Sequence, residues 1–240
     1  MWIICAKEWR QFFSSLTGYI AIILFLLLMG LFLFIFPNSS ILEFGYATLD
    51  NFFSIAPWIM LFLVPTITMR SIADEYKTGT FEILKTLPVK SSAIVWGKYF
   101  GCLLVVAVAL LPTIVYAISI QQLSAKGGID VGGTIGSYIG LLFLGGVYTA
   151  VGICTSSFTN NTVVAFISAA FVCFLFYSGF DALSKLPVFA GGIDYYIQML
   201  GIDFHYRSIS RGVIDTRDVL YFTAVIILFL LVTQRNLMRR

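Results

Sequence analysis

The stretch Ala73-Asp-Glu-Tyr-Lys-Thr-Gly-Thr-Phe-Glu-Ile-Leu-Lys-Thr-Leu-Pro-Val89 holds five of the chain's 27 charged residues. Long apolar runs flank it on both sides. Read at helical period, Ile72, Tyr76, Gly79/Thr80, Ile83 and Leu87 fall on one face. Asp74, Lys77, Thr78, Glu82 and Lys85 fall on the other, with Asp74–Lys77 and Glu82–Lys85 spaced as i,i+3 pairs of opposite sign. Gly79 costs a continuous helix about 1 kcal/mol relative to Ala, so it marks a corner between two short helices. Thr78 or Thr80 can cap the second of them, and Pro88 ends the segment. The result is a short, jointed, two-faced element tethered between two oily flanks, a form suited to docking.

Those flanks decide the class of the molecule. Of 240 residues 59% are apolar and 11% charged, and the mean hydropathy is +0.94. A soluble domain carries about 25% charged residues. Too little polar surface remains to cover a globule, so the expected solvent is lipid and the fold an all-α integral membrane protein. Six apolar runs reach the roughly 20 residues a spanning helix needs. They lie near 17–36, 53–70, 98–120, 133–156, 162–180 and 219–234, which leaves 71–92 and 181–218 as the longer connections. The runs do not alternate, which excludes a barrel. The first run is too long for a signal-peptide core, and Phe36-Pro37-Asn38 lacks a small-residue cleavage pattern.

Residues 1–15, "MWIICAKEWRQFFSS", set Trp2, Trp9, Phe12 and Phe13 beside Lys7 and Arg10. That composition fits an amphipathic helix in the membrane interface, and equally a simple extension of the first span. With six spans both termini share one side with the 71–92 loop. That side carries ten Lys and Arg against five on the other, which places it in the cytoplasm.

No span has an ionisable residue near its centre, which argues against an ion-coupled transporter or a selective pore. His205, in the outer 181–218 loop, reads as an ordinary polar surface residue. Cys5, Cys102, Cys154 and Cys173 read as small buried hydrophobes, with no metal-ligand spacing among them. "GGIDVGGTIG" (127–136) has glycines but no following lysine, so the chain carries no phosphate-binding loop of its own. Gly132, Gly136 and Gly140 recur every four residues and predict a close helix–helix contact, within the chain or with a partner subunit. Pro57, Pro65 and Pro112 predict kinks, either shaping a pathway or simply tolerated in lipid.

The stretch "RSIADEYKTGTFEILKTLPVKSSAIVWGKYFG" (70–101) resembles the signature of ABC-2 type transporter permeases, E-x-x-x-G-T-x-E-x-L…P…G-K, at Glu75, Gly79, Thr80, Glu82, Leu84, Pro88, Gly97 and Lys98. "VPTITMRSIADEYKTGTFEIL" and "DFHYRSISRGVIDTRDVLYF" are most similar to the gliding-motility-associated permeases of Bacteroidetes (GldF type). The resemblance implies two six-span units, as a homodimer or heterodimer, driven by separate cytoplasmic ATPase subunits that bind the ATP and Mg; a GldG-type protein is the implied companion. It further implies a bacterial inner-membrane location, an exporter-type permease with no catalytic role and no cofactor of its own, and no nucleic-acid partner. The 71–92 loop would be the coupling helix, with Asp74, Glu75, Gly79, Thr80, Glu82 and Leu84 as the ATPase-coupling residues. Short re-entrant helices would fill 181–218. Without transport, the same features would serve a membrane scaffold for a motility or envelope complex.

Overall fold

The computed structural model describes residues 1–36, 48–82, 90–124, 129–187, 192–213 and 215–239. Leu84, the expected Glu82–Lys85 pair and the stop at Pro88 lie outside these residues. Among the described residues all regular structure is helical: α1 (Trp2–Phe13), α2 (Leu16–Phe34), α3 (Asp50–Thr68), α4 (Ala73–Thr78), α5 (Ser91–Leu110), α6 (Ile114–Leu123), α7 (Val131–Phe158), α8 (Thr162–Phe174), α9 (Phe180–Ser184), α10 (Ile193–Met199), α11 (Ile202–Ile209) and α12 (Thr216–Arg239). Among the described residues six stretches are long and apolar enough to cross a membrane: Leu16–Phe34, Asp50–Thr78, Ser91–Gln122, Val131–Phe158, Thr162–Ser184 and Thr216–Arg239. Their number is the one the hydropathy pattern predicts, and the third begins seven residues earlier than expected.

The bundle is built around α7. Of its apolar window 78% is buried, against 22% for the first, fifth and sixth spans, so α7 is the axis and those three form the rim. Small residues make this possible. A Cβ at Gly145 would meet Met60 and Val106 at 3.0 Å, and one at Gly152 would enter the Thr68 side chain. Gly145 therefore admits α3 and α5, and Gly152 admits α3, to close contact with α7. α3 runs as one helix through Pro57 and Pro65. Pro112 instead sits in a 3-10 turn, Leu111–Thr113, that separates α5 from α6. A π-helical turn, Leu175–Gly179, joins α8 to α9.

α1 is a separate helix and not an extension of the first span. The chain breaks at Ser14, and Ser15 starts α2 afresh, its hydroxyl accepting from the Gly18 amide at 3.4 Å. α1 folds back along α5, where Gly97 and Gly101 clear its path. A Cβ at Gly97 would stand 2.9 Å from the Met1 carbonyl, and one at Gly101 would stand 2.7 Å from Glu8 Cβ.

At one end of the bundle the turn after α3 and the start of α4 meet the C-terminal end of α7, α1 and the first turns of α5. The end of α12 joins them, its Asn236 amide donating to the Ser157 carbonyl at 2.7 Å. Both termini thus share the α4 end. At the other end, α11 lies on the start of α7. Here Gly136 faces the backbone of Gly212, and Gly140 faces Ile209. Gly212 holds φ at 81°, a left-handed conformation that glycine adopts without penalty. Gly132 is not in this seam; among the described residues a Cβ there would meet only Asp130, at 3.5 Å. At Gly136 and Gly140 the close neighbour lies within the same chain.

Candidate functional site

The segment after α3 departs from an ideal two-faced helix. α4 is six residues long, and Gly79 ends it in the left-handed region at φ 72°. Helical geometry resumes at residue 80, so the glycine is a corner, as the sequence predicts. Thr78 Oγ1 donates back to the Asp74 carbonyl at 2.8 Å and lies 3.0 Å from Thr80 Oγ1, which braces the corner. Lys77, Thr78, Gly79, Thr80 and Glu82 face outward, while Phe81 is buried with its ring 4.8 Å from that of Tyr76. Asp74 does not pair with Lys77. It sits 4.0 Å from Arg70, one turn earlier, and Arg70 also donates to Thr17 Oγ1 at 3.1 Å.

Glu75 points the other way. It is 5% exposed, and Oε1 lies 2.6 Å from Lys7 Nζ and 3.0 Å from Lys98 Nζ. Lys98 is completely buried and also donates to Glu8 Oε1 at 2.7 Å and to the Ser71 carbonyl at 2.6 Å. An ammonium has three N–H donors, and three acceptors surround this one. Two carboxylates and two ammonium groups balance, which is what allows charge to persist away from water. Glu75 Oε2 is nevertheless buried without a hydrogen bond. The root of α4 is fastened from a third direction by α7. The Ser156 hydroxyl accepts from the Ile72 and Ala73 amides at 3.2 and 3.0 Å and donates to the Met69 carbonyl at 3.1 Å. Those amides are donors that a helix start leaves without internal partners.

The sequence sets Glu75 and Lys98 in one signature but does not show that they pair, nor that Glu8 joins them. A signal was present: Lys98 follows the apolar run's start closely and is flanked by Gly97 and Gly101, small residues that let another helix approach a charge. Gly79, Thr80 and Glu82 share the outer part of the segment, while Asp74 is half-buried beside Arg70 and Glu75 is buried.

At the α11 end, His205 corrects the expectation of a surface histidine. It is 3% exposed, with Nδ1 2.7 Å from Asp218 Oδ1 and Nε2 2.9 Å from the Met199 carbonyl. Its ring stacks on Tyr221 at 4.0 Å, and Tyr221 donates to the Leu200 carbonyl at 2.6 Å. Beside this cluster an open hollow of about 510 Å³ is lined by Asp50, Trp58, Tyr177, Asp203, Arg207 and Arg211 among others. Asp203 binds Arg207 there at 2.5 Å and raises the pKa of its guanidinium. Among the described residues no cluster of His, Cys, Asp and Glu is arranged to hold a metal.

No curated protein matches the chain by sequence. The family model described as "ABC-2 family transporter protein" matches residues 37–233, well over half of the chain, and so takes in five of the six spans and the jointed segment. With six apolar helices among the described residues, one of them central, and a family match of that extent, the chain belongs to the ABC-2 family of transporter proteins.

Proposed function

We propose that this chain is an exporter-type permease subunit energised in trans, with a separate ATPase seated on the jointed segment between α3 and α5. The observation that carries this reading is the contrast within that segment. Its root is held by α1, α5 and α7, while Lys77, Thr78, Gly79, Thr80 and Glu82 turn a compact polar surface outward. A docking element has to combine those two properties, since a push on its outer face must reach the spans without being lost in local bending. The positive-inside rule puts this end in the cytoplasm, where ATP is available. On this reading Asp74, Gly79, Thr80, Glu82 and Leu84 meet the ATPase, and Glu75 carries the displacement inward. Two such chains, or this chain and a related one, complete the pathway. The assignment to gliding motility rests on likeness in two stretches, and loss of colony spreading on gene deletion is its test.

The coupling reading is tested by reconstituting the chain with its ATPase in liposomes. Gly79→Pro cannot adopt the φ of 72°. Glu82→Arg reverses charge on the outer face. Each is expected to lower permease-stimulated ATP hydrolysis at least tenfold with insertion unchanged. Stimulation at the wild-type rate in both variants would remove the segment from the coupling path. ATPase binding with no nucleotide-dependent change in the chain would instead make it an anchor.

A further inference from the structure

The charges at the root of α4 come from three stretches of chain that lie far apart in sequence: Lys7 and Glu8 in α1, Glu75 in α4, and Lys98 in α5. We infer that Lys98 is the positioning residue of the jointed segment and that it makes α1 part of the same moving body, so that a displacement of α4 carries the N-terminal helix with it. This rests on the coupling reading above.

Three observations support it. The Lys98 ammonium is shared between Glu8 and Glu75 and has no donor to spare, so α1 cannot leave α4 without stranding a carboxylate. Both carboxylates have side chains only 7% exposed, so a charge abandoned in place would be largely shielded from water. Gly97 and Gly101 then remove the space in which α1 might slide. Cβ atoms at these two positions, one helical turn apart with Lys98 between them, would stand 2.9 and 3.1 Å from the Met1 and Cys5 carbonyls. Lys7 closes the arrangement from the solvent side. Its side chain is half exposed and reaches the same Glu75 oxygen, balancing the second negative charge. An arginine would not serve at position 98, because a planar guanidinium cannot address three acceptors disposed around one nitrogen.

The test uses the chain with its ATPase and pairs of nitroxide labels at exposed positions, Arg10→Cys, Lys77→Cys and Arg239→Cys, with the four buried native cysteines replaced by Ala. Distances are measured without nucleotide and after trapping with Mg-ATP and vanadate. The expected result is a fixed Arg10–Lys77 distance while Lys77–Arg239 shifts. With Lys7→Gln and Glu8→Gln together, the Arg10–Lys77 distribution should broaden; Lys7→Gln alone, at a half-exposed site, provides a folded comparison with partial broadening. A shift of Lys77 relative to Arg10 in the intact cluster would overturn the inference and leave the coupling reading standing. An unchanged narrow distribution in the double variant would overturn it as well. No shift of Lys77 relative to Arg239 would overturn the coupling reading and this inference together.

Discussion

The two ends of the bundle each fasten a short helix to the spans with buried polar groups, but they balance charge differently. At the α4 end, Lys7 and Lys98 oppose Glu8 and Glu75, four fixed charges in equal number. At the α11 end, His205 and Asp218 share a proton. The Met199 carbonyl can only accept, so Nε2 carries a hydrogen, and the 2.7 Å gap between Nδ1 and Asp218 Oδ1 holds one more. That pair is neutral overall wherever the second proton sits. Each cluster leaves one buried carboxylate oxygen without a hydrogen bond, Glu75 Oε2 and Asp218 Oδ2. The difference teaches where each can fail. Balance among fixed charges needs every member present, whereas a proton-sharing pair tolerates a neutral substitute with the right donors.

The largest effect should come from breaking the first cluster. Lys98→Met leaves two buried carboxylates, Glu8 and Glu75, with only Lys7 to oppose them, and removing one partner of a buried ion pair costs about 3–5 kcal/mol. Thermal unfolding in detergent should show it; a loss below about 1 kcal/mol would mean that water reaches the site.

The second cluster sharpens the contrast through two substitutions. His205→Ala abandons Asp218, which is 6% exposed, and should cost about 2–3 kcal/mol. Asp218→Asn should cost no more than about 1 kcal/mol, because an amide N–H can donate to Nδ1 while Nε2 keeps Met199. Equal losses would show a fixed imidazolium–carboxylate pair, and the two ends would then be alike.

The smallest effects concern the glycine seam that carries α11. Gly136→Ala would drive a methyl group into the Gly212 backbone, with Cα only 2.9 Å away, at about 1–3 kcal/mol. Gly132→Ala meets no such barrier and should be neutral or slightly stabilising, by up to about 1 kcal/mol from helix propensity. The same unfolding assay ranks them, and a reversed order would place the seam on the other face of α7.

Much of the fold was legible because it follows from local sums. Six apolar runs are long enough to span, and their length alone sets the count of spanning helices. Gly79 reads as a corner because glycine weakens a continuous helix and is the residue free to take the left-handed backbone that ends one. The same reasoning went astray where neighbours in space were not neighbours in sequence. Residue 205 looked like loop surface until α12 brought Asp218 and Tyr221 against it. Asp74 and Lys77 had suitable spacing, yet Arg70 stands on the side to which Asp74 turns. Gly132 kept the four-residue period, yet in the first turn of α7 it is the next residue, Gly133, that lies against Gly212.

The sequence by itself determined the solvent, the number of spans, the shared side of the termini and the joint at Gly79. Hydropathy adds residue by residue, and backbone sterics act within one residue, so neither needs a partner. Only the tertiary structure decided that α1 lies on α5 and that Glu75 turns inward to Lys98 and Glu8. A buried charge takes its meaning from the opposite charge that packing brings to it, here across 90 residues of chain between Glu8 and Lys98.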